Sequence, residues 1–120
     1  MKHALIIEDS PVIAMMLQDH LEVCGYTTAD IAVTQAQAIT FAEHRCPDII
    51  TADDRLEHGS GVEAIRHICR DQAIPVIFIV AVPENVEETL PNALTLQKPF
   101  SEAALNDAIR EARERPMICA

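Results

Sequence analysis

The stretch Pro47–Gly61, PDIITADDRLEHGSG, runs from the apolar residues Ile49, Ile50 and Ala52 into two adjacent aspartates, Asp53 and Asp54, and then into a turn holding Gly59 and Gly61. A short, branched apolar run bounded by turn residues reads as a buried strand. Neighbouring carboxylates repel one another, so the pair is either a polar strand terminus or the place where one aspartate works. The flanking chain decides between the two.

On both sides of this stretch, strand and helix patterns alternate. ALIIE is a short apolar strand, and Ser10 and Pro11 then open a helix in which Val12, Met15, Met16 and Leu21 recur at helical spacing until Gly25. YTTADIA is a weaker strand. A second helix, with Ala36, Ile39, Phe41 and Ala42, follows from Thr34 to the break at Pro47. Beyond Gly61, Val62, Ala64, Ile65 and Ile68 mark a third helix to about Gln72, and PVIFIVAV is a continuous apolar strand of the kind a sheet covered on both faces needs. ENVEETLPNA allows only a feeble helix, because Pro91 stops it; LTLQ is a last strand, and Ser101 caps a helix to about Arg115. Five such alternations predict a doubly wound α/β fold, a parallel sheet with helices on both faces and a short or irregular fourth helix. The tail PMICA, residues 116–120, is expected to be a frayed end or a minor contact.

A chain of 120 residues with 49% apolar and 23% charged side chains suits one domain. Nine basic against nineteen acidic side chains, net −10, argue against direct binding to nucleic acid or an anionic membrane surface, which needs clustered Lys and Arg. The apolar start Ala4–Ile7 is too short for a signal peptide, so a cytoplasmic location is expected. Cys24, Cys46, Cys69 and Cys119 are scattered and read as reduced, mostly buried thiols; His3, His20, His44, His58 and His67 form no ligand set and read as surface or half-buried.

In open α/β sheets ligands bind at the carboxyl ends of the strands. Here the first strand ends in Glu8 and Asp9, the third in Asp53 and Asp54, the fourth in Val80 and Ala81, and the fifth is followed by Lys98, Pro99 and Phe100. Crowded carboxylates call for a cation, and an oxygen-lined acidic pocket suits Mg²⁺. Lys98 adds a point charge for a phosphoryl group. Together these are the parts of a phosphoryl-transfer site with an aspartate nucleophile.

The acidic pair Glu8 and Asp9, PDIITAD ending in Asp53, Gly61, PVIFIVA and KPF at Lys98–Phe100 resemble, in order and spacing, the receiver domains of two-component response regulators, the CheY-like family, from Leu5 to about Arg113. The resemblance implies strand order 2-1-3-4-5, a receiver over residues 1–115 and a single-domain signalling protein rather than an enzyme. It implies Asp53 as phosphoacceptor, and Mg²⁺ held by Glu8, Asp9, Asp53 and the Arg55 backbone carbonyl. Lys98 and the Ala81 backbone N–H would contact the phosphoryl oxygens, with a cis peptide before Pro99. The implied partners are a histidine kinase or phosphotransfer protein and a downstream protein. Asp54, on the opposite side from Asp53 if the strand continues, reads as structural.

Two positions depart from the family. Receivers carry Thr or Ser where this chain has Val80, and Tyr or Phe where it has Thr95, so both halves of the usual switch are missing. The stretch from Ala81 to Thr95 is also shorter than usual. Conformational change is therefore expected in the weak segment from Pro83 to Thr95. The alternative is a receiver-like module that binds protein without phosphorylation.

Overall fold

Four helices of the computed structural model, which describes residues 2–119, open on a side-chain hydroxyl. Ser10 accepts the N–H of Ile13 before α1 (Pro11–Val23), and Thr34 that of Gln37 before α2 (Gln35–His44). Ser60 accepts from Val62 and Glu63 before α3 (Gly61–Ile68), and Ser101 from Ala104 before α5 (Glu102–Glu114). Each cap satisfies an amide that the helix itself leaves unpaired. The fourth helix, α4 (Glu84–Glu87), is a single turn with no side-chain cap and one buried residue, Val86.

Between the helices run β1 (Lys2–Ile7), β2 (Tyr26–Ala32), β3 (Ile49–Ala52), β4 (Val76–Val80) and β5 (Thr95–Gln97). They form one parallel sheet in the order β2-β1-β3-β4-β5. The doubly wound α/β fold expected from the sequence is the one observed.

The period of two along each strand divides the core. Ala4 and Ile6 of β1, Ile49 of β3, and Ile77 and Ile79 of β4 face α1 and α5, where they meet Ala14, Leu17, Leu21, Leu105, Ala108 and Ile109. Leu5, Ile7, Ile50, Ala52, Phe78 and Val80 face the other way, toward α2, α3 and Val86. At the start of β2, Tyr26 is buried with the Arg113 guanidinium 5.2 Å and the Lys2 ammonium 5.6 Å from its ring centroid, and its hydroxyl accepts from Arg113 Nε at 2.9 Å.

Several sequence expectations are corrected in detail. The inward stripe of α1 is Ala14, Leu17 and Leu21, while Val12, Met15 and Met16 are 76%, 62% and 49% exposed. Both rows have helical spacing, and the small side chain of Ala14 concealed the true one. Helix α3 stops at Ile68 with Cys69 as its cap, short of Gln72. Of the cysteines, only Cys69 is fully buried, while Cys24 and Cys119 are half-buried and Cys46 is exposed. His3 is buried, its ring bonded to Thr28 Oγ1 at 2.8 Å and Asp30 Oδ2 at 3.0 Å, because β2 supplies two polar partners across the strand pair. The tail makes a definite contact: Met117 exchanges two backbone hydrogen bonds with Ile74, at 2.8 and 3.0 Å.

The reassigned face of α1 has a measurable consequence. Leu17→Ala should cost about 2–4 kcal/mol in urea unfolding, as a cavity-forming core substitution does. Met15→Ala should change stability by no more than about 0.5 kcal/mol. Equal losses at the two positions would contradict this packing.

Candidate functional site

The sheet register assembles the site. Ile7 pairs with Ala52, so the next residues, Glu8 and Asp53, leave the sheet side by side; Val80 pairs with Gln97, so Ala81 and Lys98 leave together. The backbone bonds continue one step beyond the strands, Asp53 N–H to the Ile7 carbonyl at 2.9 Å and Lys98 N–H to the Val80 carbonyl at 2.8 Å.

Lys98 Nζ donates to Glu8 Oε1 at 2.9 Å and to Asp53 Oδ2 at 3.0 Å. The Glu8 side chain is only 3% exposed, and its second oxygen accepts the Ser10 N–H at 3.0 Å. Its charge is therefore matched on both oxygens, as a buried carboxylate requires. The Lys98–Pro99 peptide is cis.

Gly61 closes the site from the side of α3. Its N–H donates to the Asp54 carbonyl at 3.1 Å, and a Cβ built on it would lie 1.7 Å from the Asp53 carbonyl oxygen. No side chain fits there, so this turn glycine is a requirement of close backbone approach. In the same turn, hydrogen bonds run from Leu56 N–H to Gly59 and from Gly61 N–H to Asp54, and neither uses the Arg55 carbonyl. Ala81 is exposed, and its carbonyl accepts from the Gln97 side chain at 3.3 Å.

Val80 is wholly buried among apolar neighbours, and Thr95 is the first residue of β5, paired with Phe78. Neither offers a hydroxyl to the acidic edge from the fourth strand. Asp54 differs from expectation. The strand ends at Ala52, so its alternation does not carry to Asp54. The Asp54 carboxyl lies close enough to Asp53 to raise the pKa of that residue, and its Oδ2 is 3.5 Å from Asn85 Nδ2 of α4. Asp54 thus belongs to the rim of the site. The signal that could have found it was the turn chemistry starting at Asp53, which ends strand geometry one residue earlier than the acidic pair suggests.

The Asp53 pKa is pushed from 3.8 to about 6, first by burial, then by the Asp54 carboxyl and the Glu8 charge, with Lys98 opposing. Burial alone would lower Lys98, but its hydrogen bonds to Glu8 and Asp53 outweigh that and raise it. Glu8, Asp9 and Asp53 each offer one carboxylate oxygen, all within 4.8 Å of one another. Hard oxygen donors at this spacing, with Asp53 under like-charge pressure, fit Mg²⁺ or another oxygen-seeking divalent cation.

A family model described as response regulator receiver domain matches residues 4–110. The phyllosphere-induced regulator PhyR of Methylorubrum extorquens is 38% identical over 112 residues, which cover 90% of this chain and 42% of that protein. The chain therefore spans less than half the length of this relative. Among solved structures, the PhyR response regulator REC domain of Erythrobacter litoralis superposes with a TM-score of 0.84 at 31% identity, covering 96% of this chain and 92% of that one. The anti-anti-sigma factor PhyR of Bartonella quintana superposes with a TM-score of 0.77 at 32% identity, covering 93% of this chain and 46% of that one.

The raised Asp53 pKa sets a pH dependence. The folded state holds this proton more tightly than the unfolded chain does, so the contribution of Asp53 to stability is present below pH 3.8 and is lost as pH rises through about 6. Asp53→Asn removes the penalty. In metal-free buffer it should stabilise the protein by about 1 kcal/mol at pH 8, allowing for partial solvent screening, and by nearly nothing at pH 4. Urea midpoints at the two pH values test this, and a gain larger at pH 4 would overturn it.

Proposed function

The chain belongs to the response regulator receiver domain family, and we propose that it accepts a phosphoryl group onto Asp53 and signals by direct contact with a downstream protein. The donor is a phosphohistidine of a histidine kinase or phosphotransfer protein. The observation that carries this reading is the half-buried Asp53 carboxylate held 3.0 Å from Lys98 and flanked by Glu8 and Asp9.

An Asp53 carboxylate oxygen attacks phosphorus. The P–N bond of the donor breaks, a P–O bond forms, and the imidazole leaves with the bonding pair and takes up a proton. The raised pKa makes Asp53 a more basic nucleophile than an exposed aspartate, while at pH 7 most of it remains ionised. Lys98 already touches the attacking carboxylate and turns its charge to the incoming phosphoryl oxygens, to which the Ala81 N–H would also donate. Mg²⁺, when held by Glu8, Asp9, Asp53 and the Arg55 carbonyl, supplies the charge that offsets repulsion between the carboxylates and the phosphoryl group. The chemistry is this self-catalysed transfer and the later hydrolysis, in a cytoplasmic signalling unit formed by residues 1–115 and followed by the tail 116–120, of which Met117 and Cys119 bond to it; residues 1 and 120 lie outside the described structure.

Buried Val80 leaves the bound phosphoryl group one donor short, a loss on the order of 1 kcal/mol. The response is therefore carried by the segment from Pro83 to Thr95, where α4 is a single uncapped turn anchored by Val86. A second reading, protein binding without phosphorylation, draws on the same Val80 and Thr95 and on similarity to a structure described as an anti-anti-sigma factor.

Incubation with acetyl phosphate and Mg²⁺ should add one phosphoryl mass to the intact protein and none to Asp53→Ala. Failure of the wild type to gain mass, with partner binding intact in Asp53→Ala, would favour the second reading. Val80→Thr should lengthen the lifetime of the phosphorylated form roughly fivefold, the rate equivalent of one restored hydrogen bond. Backbone NMR with a phosphoryl mimic should shift residues 83–95; changes confined to the surroundings of Asp53 would count against a switch in that segment.

A further inference from the structure

Helix α3 ends at Ile68 with Cys69 as its cap, and the tail returns to it: Met117 pairs with Ile74, and the Cys119 N–H donates to the Cys69 carbonyl at 2.8 Å. We propose that Cys69 and Cys119 form a redox-active dithiol that closes to a disulfide when Cys119 meets a small anionic disulfide oxidant.

Three observations carry this. The first is distance: a direct hydrogen bond of 2.8 Å between the two backbones holds the two Cα atoms no more than about 6.7 Å apart by covalent dimensions, inside the range a disulfide spans. The second is environment. Cys69 and Cys119 pack in the same apolar cluster, close enough for charge on Cys119 to disfavour ionisation of Cys69. The third is access. Cys69 is fully buried, whereas Cys119 is half-buried and lines an open groove with Arg66, His67 and Arg70 of the α3 end. In a chain of net charge −10 this is a local concentration of basic groups, although Glu63 pairs with Arg66 at 3.2 Å and Asp71 lies 3.6 Å from Arg70. Burial raises the Cys119 thiol and Arg66 partly offsets the rise.

The accessible thiol therefore reacts first and the buried one resolves. Cys119, as thiolate, attacks one sulfur of the oxidant RSSR, forming Cys119–S–S–R and releasing RS⁻. Cys69 loses its proton and attacks Cys119 Sγ, closing Cys69–S–S–Cys119 and releasing the second RS⁻. The two protons given up by the protein convert both RS⁻ to RSH, so the dithiol is oxidised by two electrons and RSSR is reduced. Such a bond belongs to the transient, sensing kind found in reducing compartments. Cys46 also influences Cys69, but less than Cys119 does; it is exposed and donates its S–H to Gln72 Oε1 at 3.3 Å.

The test uses the reduced full chain and oxidised glutathione. At pH 8.5 the intact mass should fall by two hydrogens, a non-reducing peptide map should join Cys69 to Cys119, and dithiothreitol should reverse both. Amide exchange at Met117 and Cys119 should slow at least tenfold in the oxidised form. Because burial holds both thiols high, the rate should climb roughly tenfold per pH unit between pH 7 and 8.5. Cys69→Ala should stop at a lasting glutathione adduct on Cys119, Cys119→Ser should lose the reaction, and Cys46→Ser should keep it. A lasting adduct on wild-type Cys119, a Cys46–Cys69 link, or no reaction at pH 8.5 would overturn the proposal.

Discussion

Lys98 is the cation on which the carboxyl edge of the sheet depends. Glu8 is buried at the end of β1 and Asp53 half-buried at the end of β3, and one ammonium stands 2.9 and 3.0 Å from the two. Removing the Lys98 ammonium would leave the buried Glu8 carboxylate without its cation, and loss of one partner of such a pair commonly costs about 3–5 kcal/mol. The same pairing places a cation on the attacking atom of the candidate nucleophile. Fold and chemistry thus draw on one contact, and its geometry descends from two strand registers, Ile7 with Ala52 and Val80 with Gln97.

Close approach on the opposite side fixes the backbone of Asp53. With Gly61 against the Asp53 carbonyl, α3 begins almost in van der Waals contact with the site. By contrast, the region after β4 has few constraints: a single helical turn, one buried anchor at Val86, and a weak contact from Asn85 to Asp54. A rigid wall faces a lightly held one across the same acidic edge, an arrangement that lets a charge change at Asp53 be felt mainly on one side.

Much of this was legible in the sequence because it is local or periodic. The alternation of strands and helices, the caps at Ser10 and Ser101, and the acidic strand ends each rest on a few neighbouring residues. Glu8, Asp9, Asp53 and Lys98 came together as expected. What escaped was non-local or decided by one residue of phase. The inward face of α1 turned on Ala14, whose small side chain adds little to an apolar pattern. Asp54 turned on where β3 stops, and His3 on polar partners from another strand. The grip of the tail on Ile74 is a pairing across the fold that no local pattern encodes.

The Tyr26 ring, with Lys2 and Arg113 both within cation–π reach of it, has a spectroscopic consequence. The chain has one tyrosine and no tryptophan, so its longer-wavelength ultraviolet absorption and its emission come almost wholly from this single phenol. Tyr26 opens β2, at the pole of the sheet opposite the strand ends that carry Glu8 and Asp53. The molecule thus carries a built-in optical gauge of the seam between β2 and α5, set about as far from the acidic edge as the sheet allows. Events at that edge and loss of the fold will register in different signals.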